Sequence, residues 1–212
     1  MPGPVFLRGG GVTLRPVEES DYEFLQRHAN HPEVRPGFGN GPPVAADDLA
    51  DRIEGMADDD GSETFLVCAE PGDARGDEAA DAPARVGEAF LFDLHPGRES
   101  VEIGYWIAPA HQGSGYATAA AELLVDYCFA ERRLHKVNAR VLAFNGGSRA
   151  VLEKVGFESE GRRRETYYVE GEYVDVDLYG IVEDEWDGPT AAAAERAVET
   201  TGPTDAPEED AD

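Results

Sequence analysis

Ile103-Gly-Tyr-Trp-Ile-Ala-Pro-Ala-His-Gln-Gly-Ser-Gly-Tyr-Ala117 is the stretch that decides the fold. It begins as an apolar strand, passes through a loop holding Gly113 and Gly115, and runs into a helix. The N–H groups of a tight turn and of the first helical turn have no partners within the helix, and they converge on one point, which suits an anion. Glycine at 113 and 115 removes side chains where a pyrophosphate would approach the main chain. Ala117 keeps the first turn slim. A short glycine loop alone is weak evidence, because a tight strand–helix turn without a ligand uses the same residues. The loop lacks the Lys-Ser/Thr of a Walker loop and is too short for the dinucleotide fingerprint, so a nucleotide-binding module would need other features.

Downstream, Ala120, Leu123, Leu124, Tyr127 and Cys128 mark one stripe of a long helix running to about Arg132, the pattern of one-sided burial. Lys136–Leu142 is a strand, and Ser148–Val155 a helix stopped by Gly156. Phe157–Arg163 and Thr166–Ile181 supply the last strands, the latter folding back at Glu170-Gly171. Upstream, Thr64–Ala69, Ala84–Leu94 and Ser100–Ile107 are strands. Glu18–Asn30 and Asp47–Ala57 carry helical stripes (Tyr22, Leu25, Ala29; Leu49, Ile53, Met56), with a Pro/Gly loop between them. Val5–Val17 reads as a hairpin or bulged strand around Gly9-Gly10-Gly11. The acid-rich segment Pro71–Pro83 is an exposed loop. The order β-α-α-β-β-β-α-β-α-β-β describes one α/β domain with a mixed sheet, over residues 1–186. From 187 to 212 the chain turns to Ala, Thr, Pro and acids, too little apolar surface to fold, so an acidic, disordered tail is expected.

Gln112-Gly113-Ser114-Gly115-Tyr116-Ala117 resembles the cofactor loop of the GNAT superfamily, Gln/Arg-x-x-Gly-x-Gly/Ala. The preceding Gly104-Tyr-Trp-Ile, the later Asn145-Gly-Gly-Ser148 and the helix ending Glu153-Lys-Val-Gly-Phe157 look like its RimJ/RimL branch. The resemblance implies the GNAT acyl-CoA N-acyltransferase fold, acetyl-CoA as co-substrate and a primary amine as acceptor, either a protein N-terminus or a small molecule. It implies that Gln112, Gly113, Ser114, Gly115, Tyr116 and Ala117 hold the CoA pyrophosphate. The strand ending at Ile107 would splay from its neighbour and offer main-chain groups to the pantetheine arm, as in strand addition. Asn145 would contact that arm, cap the helix, or both. Many members place a tyrosine, the acid for the leaving thiolate, five residues before the Gly-Phe pair; here that residue is Leu152. The branch appoints the serine instead, so Ser148 is the candidate acid, with helix capping as its alternative. Glu102 is the candidate base by position, facing either cleft or solvent. Where relatives carry an acid near the last hairpin this chain has Tyr167, with Glu165 two residues earlier, and Asp175 reads as structural. The competing function is an acyl-CoA-binding sensor that kept the fold without turnover.

The net charge is −26, from 44 acids against 18 Lys and Arg. Only Lys136 and Lys154 are lysines, and the acids are spread along the chain. That balance resembles proteins of organisms with molar internal salt, where the screening length falls to ~3 Å. It argues against nucleic acid as a partner, since phosphate binding needs clustered Lys and Arg, and it favours cationic acceptors. No membrane span or secretory leader is legible, so a cytoplasmic protein is expected. Cys68 and Cys128 read as reduced core residues. No metal site is expected, because His28 and His31 lack further ligands. A homodimer is left open.

Overall fold

The computed structural model describes residues 2–39, 41–58, 61–71 and 83–189. Residues 72–82 of the acid-rich loop, and the tail from 190 on, lie outside the described residues. Among the described residues eight strands form one sheet: β1 (Leu7–Gly9), β2 (Val12–Pro16), β3 (Glu63–Ala69), β4 (Ala84–His95), β5 (Ser100–Ile107), β6 (Lys136–Leu142), β7 (Glu158–Val169) and β8 (Glu172–Val182). Their order is β1-β2-β3-β4-β5-β6-β8-β7. All pairs are antiparallel except β5–β6. The helices are α1 (Tyr22–Ala29), α2 (Ala46–Asp58), α3 (Tyr116–Ala130) and α4 (Gly146–Val155).

Val5–Val17, left open as a hairpin or a bulged strand, is the hairpin β1–β2; Gly10 and Gly11 make the turn at φ 59° and 82°, a backbone that glycine adopts without cost. Several elements differ from the sequence reading. The first helix is split, with a 3-10 turn at Glu19–Asp21 before α1. A 3-10 turn, Arg35–Phe38, interrupts the Pro/Gly loop. The expected break near Arg164 is an irregularity inside a continuous β7, where the register shifts between Arg163 and Tyr167.

The largest difference concerns α3. It is buried almost all round, Glu122 included, rather than along one stripe. Such a helix belongs inside a domain. It lies across β1, β2, β4 and β5 and is flanked by α4. Trp186 closes over it and donates to Asp126 (3.2 Å). The main core, from Leu14 and Val67 through Leu124 to Ile181, fills this face. A second core on the opposite face joins Leu25, Leu49, Ile53, Leu66 and Trp106 beneath α1 and α2.

One feature of the sheet creates the site. β5 pairs with β6 only at Ser100↔Lys136, Val101↔Val137 and Glu102↔Asn138. Beyond that point β5 runs on to Ile107 against β4, while β6 runs on to Leu142 against β8. The two halves of the sheet therefore diverge as a V.

Candidate active site

The V encloses a cleft of about 810 Å³, within the range of small-molecule sites. One wall is Ile103 to Ile107 of β5, the other Ala139 to Leu142 of β6. Ala108 N–H donates to Val86 O (2.8 Å), which sets the phase of the β4–β5 ladder. By the alternation of an antiparallel pair, Trp106 and Gly104 spend their main-chain groups on β4, and those of Ile103, Tyr105 and Ile107 turn toward the gap. The Ile107 carbonyl does not stay available, however, because Gln112 Nε2 donates to it (3.0 Å). Gln112 thus ties the loop to the strand end.

The loop closes the top of the cleft. Gly113 and Gly115 have φ of 75° and 86°, and a Cβ at either would meet nothing within 4 Å. The space beside both is open, and left-handed backbone is where glycine is cheapest. Gly115 is the N-cap of α3, and no side chain caps that end. His111 lines the cleft, and its buried Nδ1 has no hydrogen-bond partner among the described residues. An open glycine turn and an uncapped helix start fit a pyrophosphate. Tyr116 and Ala117 also line the cleft; Ser114 does not, and its buried hydroxyl is without a partner among the described residues.

Asn145 and Ser148 come to the middle of the cleft from the start of α4. Asn145 Oδ1 accepts from Ser148 N–H (3.0 Å), so the asparagine is the N-cap. Ser148 Oγ lies 3.2 Å from the hydroxyl of Tyr105, a contact the sequence reading missed. Burial pushes the Tyr105 phenol up to about 12, against the opposing effect of its Ser148 bond. Leu152 lines the cleft and is buried.

Glu102 does not form part of the cleft wall. Its carboxylate takes the Arg140 guanidinium in an ion pair, and Arg140 is the residue that lines the cleft. The pair bridges β5 and β6 where they part. Burial raises the Glu102 pKa above its ordinary value, more than the Arg140 bond and charge lower it. Arg140 also sits over the Phe92 ring, 5.7 Å from its centroid. Around this end lie Phe38, stacked obliquely on Phe90 at 6.2 Å, and Tyr167, whose ring lies directly against Gly39. The 3-10 turn thus gives Pro36, Gly37 and Phe38 to the cleft lining, and Tyr167 packs against Gly39 just beyond it. Trp106 is fixed behind them by Glu88, which is buried yet satisfied by Trp106 Nε1 (2.8 Å), Arg52 (2.9 Å) and Thr64 (3.1 Å). Asp175 accepts from Glu165 N–H (2.9 Å) within the β7–β8 hairpin, in keeping with a structural part.

The profile of the GNAT acetyltransferase domain matches residues 12–158. The chain belongs to the GNAT acetyltransferase family. YdaF of Bacillus subtilis (strain 168), which carries the name of a ribosomal N-acetyltransferase, is 39% identical over 102 residues, covering 48% of this chain and 56% of that protein. The first curated relatives are thus matched over about half their length, 56% and 54%. The spermidine N(1)-acetyltransferase of Vibrio cholerae is 26% identical over 176 residues, 82% of this chain and 95% of that one. A crystal structure of the Vibrio cholerae spermidine N-acetyltransferase in complex with CoA and spermine superposes with a TM-score of 0.73, at 26% identity, over 82% of this chain and 97% of that one. The mixed sheet with four helices is the GNAT fold, and GNAT acetyltransferases use acetyl-CoA. Among the described residues no group of three or more His, Cys, Asp or Glu is placed to hold a metal, and no helix is long and apolar enough to cross a membrane. Both cysteines are free and buried, with thiols pushed up to about 12 by burial, which leaves them poor nucleophiles.

Proposed function

We propose that this GNAT-family protein transfers the acetyl group of acetyl-CoA to a primary amine by direct attack, without a covalent enzyme intermediate. The observation that carries the reading is the V itself. It combines an anion cradle at Gly113–Ala117, unspent strand groups along β5, and two hydroxyls at the α4 start. The cradle takes the pyrophosphate, the strand edge takes the pantetheine amides, and the thioester then falls beside Ser148. The amine nitrogen bonds to the thioester carbonyl carbon, the C–S bond breaks, and the electron pair leaves on sulfur. Ser148 donates to that sulfur. The nitrogen loses its proton to Glu102 through water; the raised pKa of Glu102 brings it nearer the working range of a base.

The acceptor enters from the mouth framed by Phe38, Phe90, Phe92 and Tyr167. It is an α-amine of a protein N-terminus or a small-molecule amine. The formal net charge of −26 favours the approach of ammonium-bearing acceptors to the molecule. The Gly104-Tyr-Trp-Ile and Asn145-Gly-Gly-Ser148 motifs support a place in the RimJ/RimL branch. The scarcity of lysine and excess of acids support a salt-adapted, cytoplasmic setting. The test is thiol release from acetyl-CoA in molar KCl against peptides with free N-termini, polyamines and amino sugars. Saturable release with one of these classes is expected. Tight acetyl-CoA binding with no release by any amine would instead favour the acyl-CoA sensor.

A further inference from the structure

Tyr105 lines the cleft, and its side chain has no part in the transfer steps. Its side chain stands on β5, in the part of the strand that no longer pairs with β6. It crosses the gap to the first turn of α4. There its hydroxyl has two neighbours, Ser148 Oγ at 3.2 Å and Ser148 O at 3.3 Å. A phenol has one proton, so the two contacts imply different serine orientations. If the phenol donates to the carbonyl, the serine proton turns back to the phenol oxygen. If it donates to Oγ, the serine proton is released toward the cleft. The Ser148 carbonyl lies inside α4, where the N–H four residues on serves it. Oγ has no other donor among the bonds found there: Asn145 takes the Ser148 N–H, not its hydroxyl. Both orientations satisfy the two groups, but only the second leaves the serine proton free for the cleft.

We propose that Tyr105 and Ser148 form a hydroxyl pair that stabilises the leaving thiolate, with Ser148 donating to sulfur and Tyr105 donating to Ser148 Oγ. Tyr105 is a positioning residue: it aims the serine proton and polarises that O–H, since hydrogen bonds in a chain strengthen one another. No proton has to leave the phenol. Sulfur departs with the C–S electron pair, is held by the Ser148 hydrogen bond, and takes its proton from solvent, while the proton lost by the amine passes through water to Glu102, which returns it to solvent. The high phenol pKa suits this use, because Tyr105 stays a donor at every working pH. Leu152, the other side chain at this point of the cleft, has no proton to give.

The inference rests on the acyl-transfer reading, so its test does not depend on finding the acceptor. Free CoA is bound to the wild type, and its thiol is titrated by the ultraviolet absorbance of the thiolate. A pair that stabilises thiolate lowers the bound thiol pKa below the ordinary thiol value of ~8.5. Tyr105→Phe keeps the ring and removes the donor, and the pKa should return toward the free value. Ser148→Ala should return it further, and the double variant no further than Ser148→Ala alone, since the two act as one unit. With a competent amine, Tyr105→Phe should lower kcat about tenfold while acetyl-CoA affinity holds within about twofold. A lowered thiol pKa in a wild type that releases no thiol with any amine supports the pair and sinks the transfer reading. A bound thiol pKa that is the same in wild type and Tyr105→Phe overturns the pair, whatever the turnover. Should Tyr105→Phe fail to fold, Ser148→Ala carries the same titration, and an unmoved thiol pKa there overturns the proposal.

Discussion

Gly115 joins strand to helix by a conformation that few residues accept, and the space beside it is where a ligand belongs. Its φ is 86° and an added Cβ would point into the open cleft. Gly115→Asp therefore places a carboxylate where we propose that the pyrophosphate sits, on a backbone that costs a non-glycine residue about 1–2 kcal/mol. CoA affinity measured by calorimetry should fall at least tenfold; an unchanged affinity would take the loop out of the site. Asn145 and Ser148 are neighbours with separable parts. Asn145 caps α4 through Ser148 N–H, so Asn145→Ala should cost about 1 kcal/mol of stability as well as weaken cofactor binding. Ser148 uses its main chain for that cap and its side chain for Tyr105. Ser148→Ala should thus leave the melting temperature and acetyl-CoA affinity nearly unchanged while kcat drops ~10²-fold or more. Full turnover on a confirmed amine would reduce the serine to a bystander of the helix start.

At the scale of elements, the β4–β5 pair is the fixed arm of the V, and two glycines set how closely it is built. A Cβ on Gly87 would lie 2.1 Å from the Trp106 carbonyl oxygen, a main-chain atom of the facing strand. One on Gly104 would lie 2.3 Å from the Phe90 ring. The strand cannot step aside without shifting the cleft wall, but the half-buried ring can turn. Gly87→Ala should destabilise by about 1–3 kcal/mol or more, read as a melting temperature lower by several degrees. Gly104→Ala should instead displace Phe90 and Phe38, raising the KM for the amine more than it lowers stability. Equal effects of the two on stability alone would argue against Phe90 shaping the acceptor mouth. The other arm is tied by Asp177 of β8, which takes Arg162 of β7 (2.6 Å) and Arg149 of α4 (3.0 Å). The Arg162 bond, helped by Arg149 and opposed by burial, holds the Asp177 carboxyl below its usual range. A depressed carboxylate stabilises the fold above the unfolded value of ~3.9 and loses that contribution as pH falls through its own lower value. Asp177→Asn should therefore lower the melting temperature at neutral pH, and its gap from the wild type should close below about pH 4. A gap independent of pH would mean that packing, not charge, is what the substitution removed.

Over the whole molecule, charge and topology decide different things. A chain with 44 acids and 18 Lys and Arg repels itself at low salt. Melting temperature should rise from low to molar KCl as the screening length shrinks toward ~3 Å; a flat or falling curve would refute the salt-adapted reading. The cofactor half of the site was open to inspection in one dimension because it is local. Gln112 to Ala117 form a turn and a helix start, and their chemistry lies in consecutive N–H groups and missing side chains. Asn145 as cap and Ser148 beside it are local for the same reason, as are the strand and helix periods. What sequence spacing does not carry is which distant segments meet. That α3 is enclosed on nearly all sides follows from β1, α4 and Trp186 closing over it, not from its own stripe. That Gln112 spends the Ile107 carbonyl, that Glu102 is held by Arg140, and that Tyr105 reaches Ser148 depend on side chains 5, 38 and 43 positions apart. By itself the sequence determined the order of the elements, the glycine turn before α3 and the acidic composition, since each rests on backbone periodicity, glycine or charge count. Only the tertiary structure decided where β5 leaves β6 and which hydroxyl lies beside the serine, because a parting of strands and a contact across it exist only once both halves of the sheet have packed on their own sides of α3.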